Sequence, residues 1–282
     1  MVFCFDTSGL NELYRDAERE PIVTALLSAG SFLISAHNVA EAIRTKSDAD
    51  RVGLLRLMTR LARNTRILDR PSGVLRRAAC SFAADTRSFV VNADPKLEGL
   101  WQALHEPEQI NEDVRDYTTR WLRSSIGDLG RITPKDRATL TGFYEAGVVS
   151  RPRSAAASIR GAFADQDHLY KWFAPKYESW TTHTLSREDF ERLVVDPTYA
   201  LYLGGIAYGV YQRAMRLEGY SQKGRHANLI DLGQAVYLPL CDSFVTHDVR
   251  QYRALRLLNR FNTGRKTEVL RYQAFRRRLL VG

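Results

Sequence analysis

The sequence predicts an α/β protein built on a parallel sheet, with a mainly helical insertion in the middle of the chain. Three observations predict it. Short apolar runs of strand length stand near both ends, at Val2 to Phe5 and at Ser243 to Thr246. Helical apolar stripes follow them, and strands alternating with helices argue for a parallel sheet. The stretch between is long, broken by prolines and mostly helical in pattern.

Taken in order, Val2 to Phe5 is a continuous apolar run, as in a strand buried on both faces. Asp6, Thr7 and Ser8 can cap a helix through Gly9 to Arg19. A second helix through Pro21 to Leu27 precedes a strand at Phe32 to Ile34. Asn38, with Glu41 three positions on, reads as the N-cap of the next helix. Leu54, Leu57, Met58 and Leu61 recur at helical spacing. Arg66 to Leu68 suits a short third strand, and Asp69 to Gly73 a turn.

From Val74 to Arg225 the pattern is helical, with starts at Thr133-Pro134 and Ser186-Arg187. Gly204, Gly205 and Gly209 suggest close helix packing, and the tryptophans Trp101, Trp121, Trp172 and Trp180 suit a core. A clear pattern returns with a helix over Asn228 to Tyr237, which carries Asp231. A strand over Ser243 to Thr246 follows, then an apolar stripe of Val249, Tyr252, Leu255 and Leu258. Val269 to Phe275 is either an edge strand or a helical turn. The expected division is a discontinuous catalytic domain, 1–73 with 226–282, and an insertion or subdomain over 74–225.

Composition narrows the function classes. The 282 residues carry a formal charge of +9, which favours polyanionic partners. The longest weakly polar stretch, Tyr199 to Gln212, falls short of a spanning helix. The chain opens without a basic leader or cleavage site, so a cytoplasmic setting is expected rather than secretion. Cys4, Cys80 and Cys241 are far apart and form no metal motif, and the six histidines lack zinc spacing. No phosphate-cradling or dinucleotide-binding glycine series is present, so ATP and NAD are not implied.

Four acids carry the candidate chemistry: Asp6, Glu41, Asp231 and Asp248, with Asp242 as a fifth. Asp6 and Asp248 follow buried strands, and in parallel sheets ligands bind beyond the carboxyl ends of strands. Converging carboxylates repel one another, and a hard cation such as Mg²⁺ or Mn²⁺ removes that cost. Such an ion can also activate water for attack on phosphorus. Each acid has a plainer reading. Asp6 and Asp248 can cap helices, Glu41 can complete a capping box, Asp231 can face solvent and Asp242 can orient a loop. Thr7, Ser8 and His247 stand beside these acids as auxiliary candidates.

The segments Phe5-Asp6-Thr7-Ser8, Asn38-Val39-Ala40-Glu41, Asp231, and Asp242 through Asp248 together resemble the PIN-domain pattern. The resemblance covers about the first 70 residues and the last 60. It implies a three-layer α/β/α fold and a metal-dependent ribonuclease or nuclease. It also implies that Asp6, Glu41, Asp231 and Asp248 form the ligand set. A toxin role with an antitoxin or other protein partner is one biological setting the family offers. The separation from Glu41 to Asp231 exceeds that of compact members, which places the insertion between them.

Arg250, Arg253, Arg256 and Arg260 recur at helical spacing after Asp248 and can form one basic face. Phosphate contacts there would position RNA or single-stranded nucleic acid without reading its sequence. Arg265, Lys266, Arg271 and Arg276 to Arg278 extend the charge, and Tyr252, Tyr272 or Phe275 could stack on bases. The leading expectation is a Mg²⁺- or Mn²⁺-dependent phosphodiesterase cleaving RNA. The alternatives are a PIN-like nucleic-acid or protein-binding module without catalysis, and a small-molecule phosphohydrolase. Asp6-Thr7-Ser8 lacks the second nearby aspartate that the last of these would need.

Overall fold

The computed structural model of the chain describes residues 1–62, 67–83, 95–128, 154–215 and 232–281. Val2–Phe5 forms β1, Ser31–Leu33 β2, Ser243–Thr246 β3 and Glu268–Arg271 β4. The sheet order is β2-β1-β3-β4, and every pairing is parallel. Phe5 lies opposite Val245, and Thr246 opposite Arg271. A single parallel bridge, Ser35 with Leu68, is all that forms where the sequence suggests a third strand; Arg66 lies outside the described residues.

Parallel neighbours need crossovers, and helices supply them. Thr7–Arg15 (α1) and Arg19–Ala29 (α2) join β1 to β2. Between β2 and β3 come α3 (Ala36–Ile43), α4 (Asp48–Ala62), α5 (Pro71–Ala83), α6 (Pro95–His105) and α7 (Glu112–Asp128). They are followed by α8 (Ala155–Ala164), α9 (Gln166–Thr181), α10 (Arg187–Val194) and α11 (Pro197–Met215). Val249–Leu258 (α12) crosses from β3 to β4, and Tyr272–Val281 (α13) closes the chain.

Strand side chains alternate between faces, and they divide the core in two. Phe3, Phe5, Phe32, Val245 and Leu270 point into one core, completed by α1 to α4, α6, α7 and α13. Cys4, Phe244 and Val269 point into the other, completed by α5 and α8 to α12. The result is a helix–sheet–helix sandwich with a large helical insertion between β2 and β3. The described insertion helices pack into both cores together with the strands. Phe5 anchors the first core, 4.8 Å from the Phe32 ring and edge-on to Phe275 at 5.1 Å. Truncating such a phenylalanine to alanine costs about 3–5 kcal/mol.

Local chemistry sets the boundaries that matter for the site. Asp6 caps α1, its Oδ1 accepting from the Gly9 N–H at 2.7 Å. Asn38 is not the cap of α3. Ser35 is, and Asn38 answers from the third helical position in a reciprocal capping box. The proposed turn after Asp69 is instead the start of α5, with Pro71 at the first helical position, where its missing N–H costs nothing. The expected helix around Asp231 is described only from Leu232 onward, where Gln234–Leu240 forms a 3-10 segment that contains Pro239. The expected start at Thr133-Pro134 also lies outside the described residues. On α11, a Cβ at Gly205 would sit 3.3 Å from the Leu232 carbonyl oxygen, so the expected close packing is present. Among the described residues, no helix is long and apolar enough to cross a membrane.

Candidate functional site

All four strands run the same way, so their carboxyl ends share one edge. Asp6 leaves β1 there, and its backbone N–H extends the ladder to the Val245 carbonyl at 3.0 Å. Its carboxylate is buried, only 5% exposed, yet well supplied with donors. Ser8 Oγ lies 3.0 and 2.8 Å from its two oxygens, and Thr246 Oγ1 lies 2.9 Å from Oδ2. Burial pushes the Asp6 carboxyl up to about 7, against the pull of the Gly9 N–H and the two hydroxyls; the Glu41 carboxylate adds to the rise.

Glu41 reaches the same corner from α3. Burial raises its carboxyl too, with the Thr7 hydroxyl and Arg44 opposing. Thr7 Oγ1 in turn accepts from Asn38 Nδ2 at 3.2 Å. Thr7 thus links the start of α1 to the first turn of α3, and the reading of Glu41 as a capping-box partner falls away. Each carboxyl is raised mainly by its own burial, and the Glu41 charge is the smallest contribution to the rise at Asp6.

Asp248 is brought to this corner by its backbone. Its N–H meets Ser8 Oγ at 3.1 Å and Thr246 Oγ1 at 3.0 Å. Its side chain is exposed and caps α12, Oδ1 accepting from the Arg250 and Gln251 N–H groups at 2.6 and 3.0 Å. The capping reading of Asp248 is therefore realised. Asp242 is at the wrong edge for the site. It stands at the start of β3, where Oδ2 accepts from the Val2 N–H at 2.8 Å and Arg265 pairs with its other oxygen. At about 3.3 Å per residue, it lies roughly 13 Å up the strand from Thr246. It staples the amino ends of β1 and β3, which removes it from the candidate metal ligands. Asp231 lies outside the described residues.

The described residues hold no group of three or more His, Cys, Asp or Glu side chains able to share a metal ion. The donor set that does converge, Asp6 with Glu41 and the Thr7 and Ser8 hydroxyls, is all oxygen. It suits a hard cation by type, though with two carboxylates rather than the four expected. His247 donates its backbone N–H to Ser8 Oγ at 2.9 Å, and its ring Nδ1 stands 3.7 Å from Glu12 Oε2 on α1.

Sequence reasoning passed over three residues here. Thr246 reads as a strand residue, and nothing but its register opposite Asp6 marks its role. Gln251 is buried, with Oε1 2.8 Å from Thr246 Oγ1 and Nε2 without a partner. A hydroxyl carries one proton, so turning this amide over would let Nε2 donate to Thr246 and leave the Thr246 proton for Asp6. His37 sits one turn before Glu41 on α3. It is 1% exposed, 6.0 Å from the Trp121 ring, and neither ring nitrogen has a hydrogen-bond partner. Burial, with the nearby Arg70 charge, pushes it down to about 4.

The basic face is clearer than the acidic corner. At 3.6 residues per turn, Arg250, Arg253 and Arg256 fall within about a third of the circumference of α12, and Arg260 follows in the 3-10 turn Asn259–Phe261. They lie opposite Gln251, Ala254, Leu255 and Leu258, which are buried. All four arginines are exposed, and none has an acidic partner among the described residues. Half of the wider charge expected around them is tied to acids, while Lys266, Arg271 and Arg277 have no acidic partner among the described residues. Arg265 pairs with Asp242, Arg276 with Asp16 and Glu18, and Arg278 with Glu268.

Comparisons with protein families, with curated proteins and with solved structures returned no match. The fold and the site together define a class: a three-layer parallel-sheet protein with a buried Asp6 beside a half-buried Glu41 at the carboxyl edge, and an exposed arginine face on the helix that leaves this edge.

Proposed function

We propose that this chain is a nucleic-acid-binding module, PIN-like in outline, that takes RNA or another single strand along the exposed face of α12. The observation that carries this reading is the contrast among arginines. Those at 250, 253, 256 and 260 are exposed and have no acidic partner among the described residues, while Arg265, Arg276 and Arg278 are each tied to an acid. Unpaired guanidinium groups on one face gain most from a phosphate backbone, by releasing its counterions. The test is fluorescence anisotropy with labelled single-stranded RNA across a salt series. The wild type should bind with a steep salt dependence. Arg250→Ala, Arg253→Ala and Arg260→Ala should each flatten the log–log slope by about 0.7, the share of one neutralised phosphate on a single strand. Unchanged affinity and slope in the triple variant at low salt would reject the face.

A second reading adds chemistry at the carboxyl edge, where α12 begins, and the Asp6–Glu41 pair favours it. These two carboxyls come from different elements, and both hold their protons more tightly than usual, with the Glu41 charge adding to the rise at Asp6. Asp6 and Glu41 would hold Mg²⁺ or Mn²⁺, which supplies activated water to a phosphodiester. Thr7, Ser8 and Thr246 would orient the carboxylates. RNA products formed with Mg²⁺ or Mn²⁺, lost in EDTA and in folded Asp6→Asn protein, would support cleavage. Binding without products under all metals would leave the module non-catalytic.

A further inference from the structure

Three aromatic residues near the arginine face could contact bases, and the fold separates them. Tyr272 and Phe275 are 1% and 3% exposed and belong to the core. Tyr252 is half-buried, at the border between the arginine face of α12 and the packed side. One turn on, Arg256 lays its guanidinium against the Tyr252 ring, Cζ 5.4 Å from the ring centre, and Nη1 donates to the phenol oxygen at 3.0 Å. Ring and hydroxyl together hold this guanidinium in place, whereas Arg250, Arg253 and Arg260 carry no such support among the described residues. A fixed guanidinium beside a phenol presents a flat, polarizable surface rather than a mobile point charge.

We propose that Tyr252 and Arg256 form a stacking subsite for one unpaired nucleobase of a strand whose phosphates lie on Arg250, Arg253 and Arg260. This rests on the nucleic-acid-binding reading and deepens it: the substrate class is single-stranded. Bases inside a duplex are stacked on one another and offer no free face, while every unpaired base does. A subsite of this kind tolerates any base and reads no sequence.

The experiment compares three labelled probes of equal charge: single-stranded RNA, an abasic strand of the same length, and a duplex. The wild type should prefer the base-bearing strand to the abasic one by roughly 5- to 150-fold, the range for one stacked base. Tyr252→Leu, which keeps apolar packing without an aromatic plane, should lose that preference and leave abasic binding unchanged. Tyr252→Phe should keep most of it. Equal wild-type affinity for all three probes would overturn the subsite while leaving the arginine face standing, and this comparison needs no variant to fold. An equal loss on every probe in Tyr252→Leu would overturn it as well. Absence of binding to any probe at low salt would overturn the parent reading and the subsite with it.

Discussion

The Thr246 hydroxyl oxygen lies 2.9 Å from Asp6 Oδ2, joining residues 240 positions apart. The same hydroxyl accepts the Asp248 N–H at 3.0 Å, so one small side chain at the end of β3 supports both the carboxylate after β1 and the turn into α12. Thr246→Val keeps the strand shape and the burial but removes both bonds and the contacts to Gln251 and Ser8. It should cost about 1–3 kcal/mol, the penalty for leaving buried partners unmatched, while Thr246→Ser should recover most of that. Urea unfolding of the three proteins decides; a neutral valine would mean that the hydroxyl network contributes no stability.

The buried titrating groups pull stability in opposite directions. An Asp6 carboxyl raised from 3.8 to about 7 keeps its proton in the folded state where the unfolded chain has lost it. Stability then falls as pH rises through that window, at up to about 1.4 kcal/mol per pH unit. Glu41 is raised and acts in the same sense. His37, lowered from 6.5 to about 4, binds fewer protons folded than unfolded, so stability rises with pH between those values. In metal-free buffer the His37 slope opposes those of the two carboxyls. Asp6→Asn should make the slope between pH 4 and 6.5 more positive than in the wild type, and His37→Leu should make it more negative. Urea midpoints for both variants that track the wild type across this range would refute the assignment.

Asp248 permits a separation of roles. Asp248→Ala removes the α12 cap and should cost about 1 kcal/mol. Asp248→Asn keeps an acceptor oxygen for the Arg250 and Gln251 N–H groups and should be near neutral for stability. Calorimetric titration with Mn²⁺ then isolates ligation. Metal affinity equal in wild type and Asp248→Asn identifies a cap alone; a lost affinity with intact stability identifies a ligand.

Gly9 tests how tightly α1 sits on the sheet. Alanine is the better helix former by about 1 kcal/mol. A Cβ at Gly9, however, would meet the Val245 carbonyl oxygen at 2.9 Å and Asp6 Oδ1 at 3.2 Å. Backbone cannot move aside cheaply, so Gly9→Ala should destabilise despite its propensity and disturb the Asp6 cap. A higher melting temperature for this variant would show that α1 has room to lift.

Much of the frame is legible in the sequence, because buried strands and amphipathic helices announce themselves by period. Ser243 to Thr246 falls where the apolar run places it, and α12 follows the stripe that begins at Val249. The misreadings have local causes. Ser35 and Asn38 are both good caps three residues apart, and their reciprocal bonding makes either look like the start. Asp69-Arg70-Pro71-Ser72-Gly73 has the composition of a turn, but proline and glycine also suit the first turn of α5. Between acids the sequence cannot choose, because a cap and a ligand use the same side chains. Asp242 and Asp248 flank a strand of four residues, and strand direction alone sends them to opposite edges. Glu41 meets Asp6 through Thr7, a meeting that no spacing encodes.

The strand order carries a cost during synthesis. β1 sits in the middle of the sheet, yet its inner partner β3 comes from the far end of the chain. At about 5–20 residues per second, a nascent chain waits roughly 10–50 s between making Phe5 and making Val245. Through that interval the β1–β2 pair presents an unsatisfied edge with phenylalanines on one face, a template for any strand that arrives first. The β3 of a neighbouring chain would fit in the same register as its own. Until β3 is made, that edge stays open to strands of neighbouring chains, and crowded translation raises the chance of such pairing.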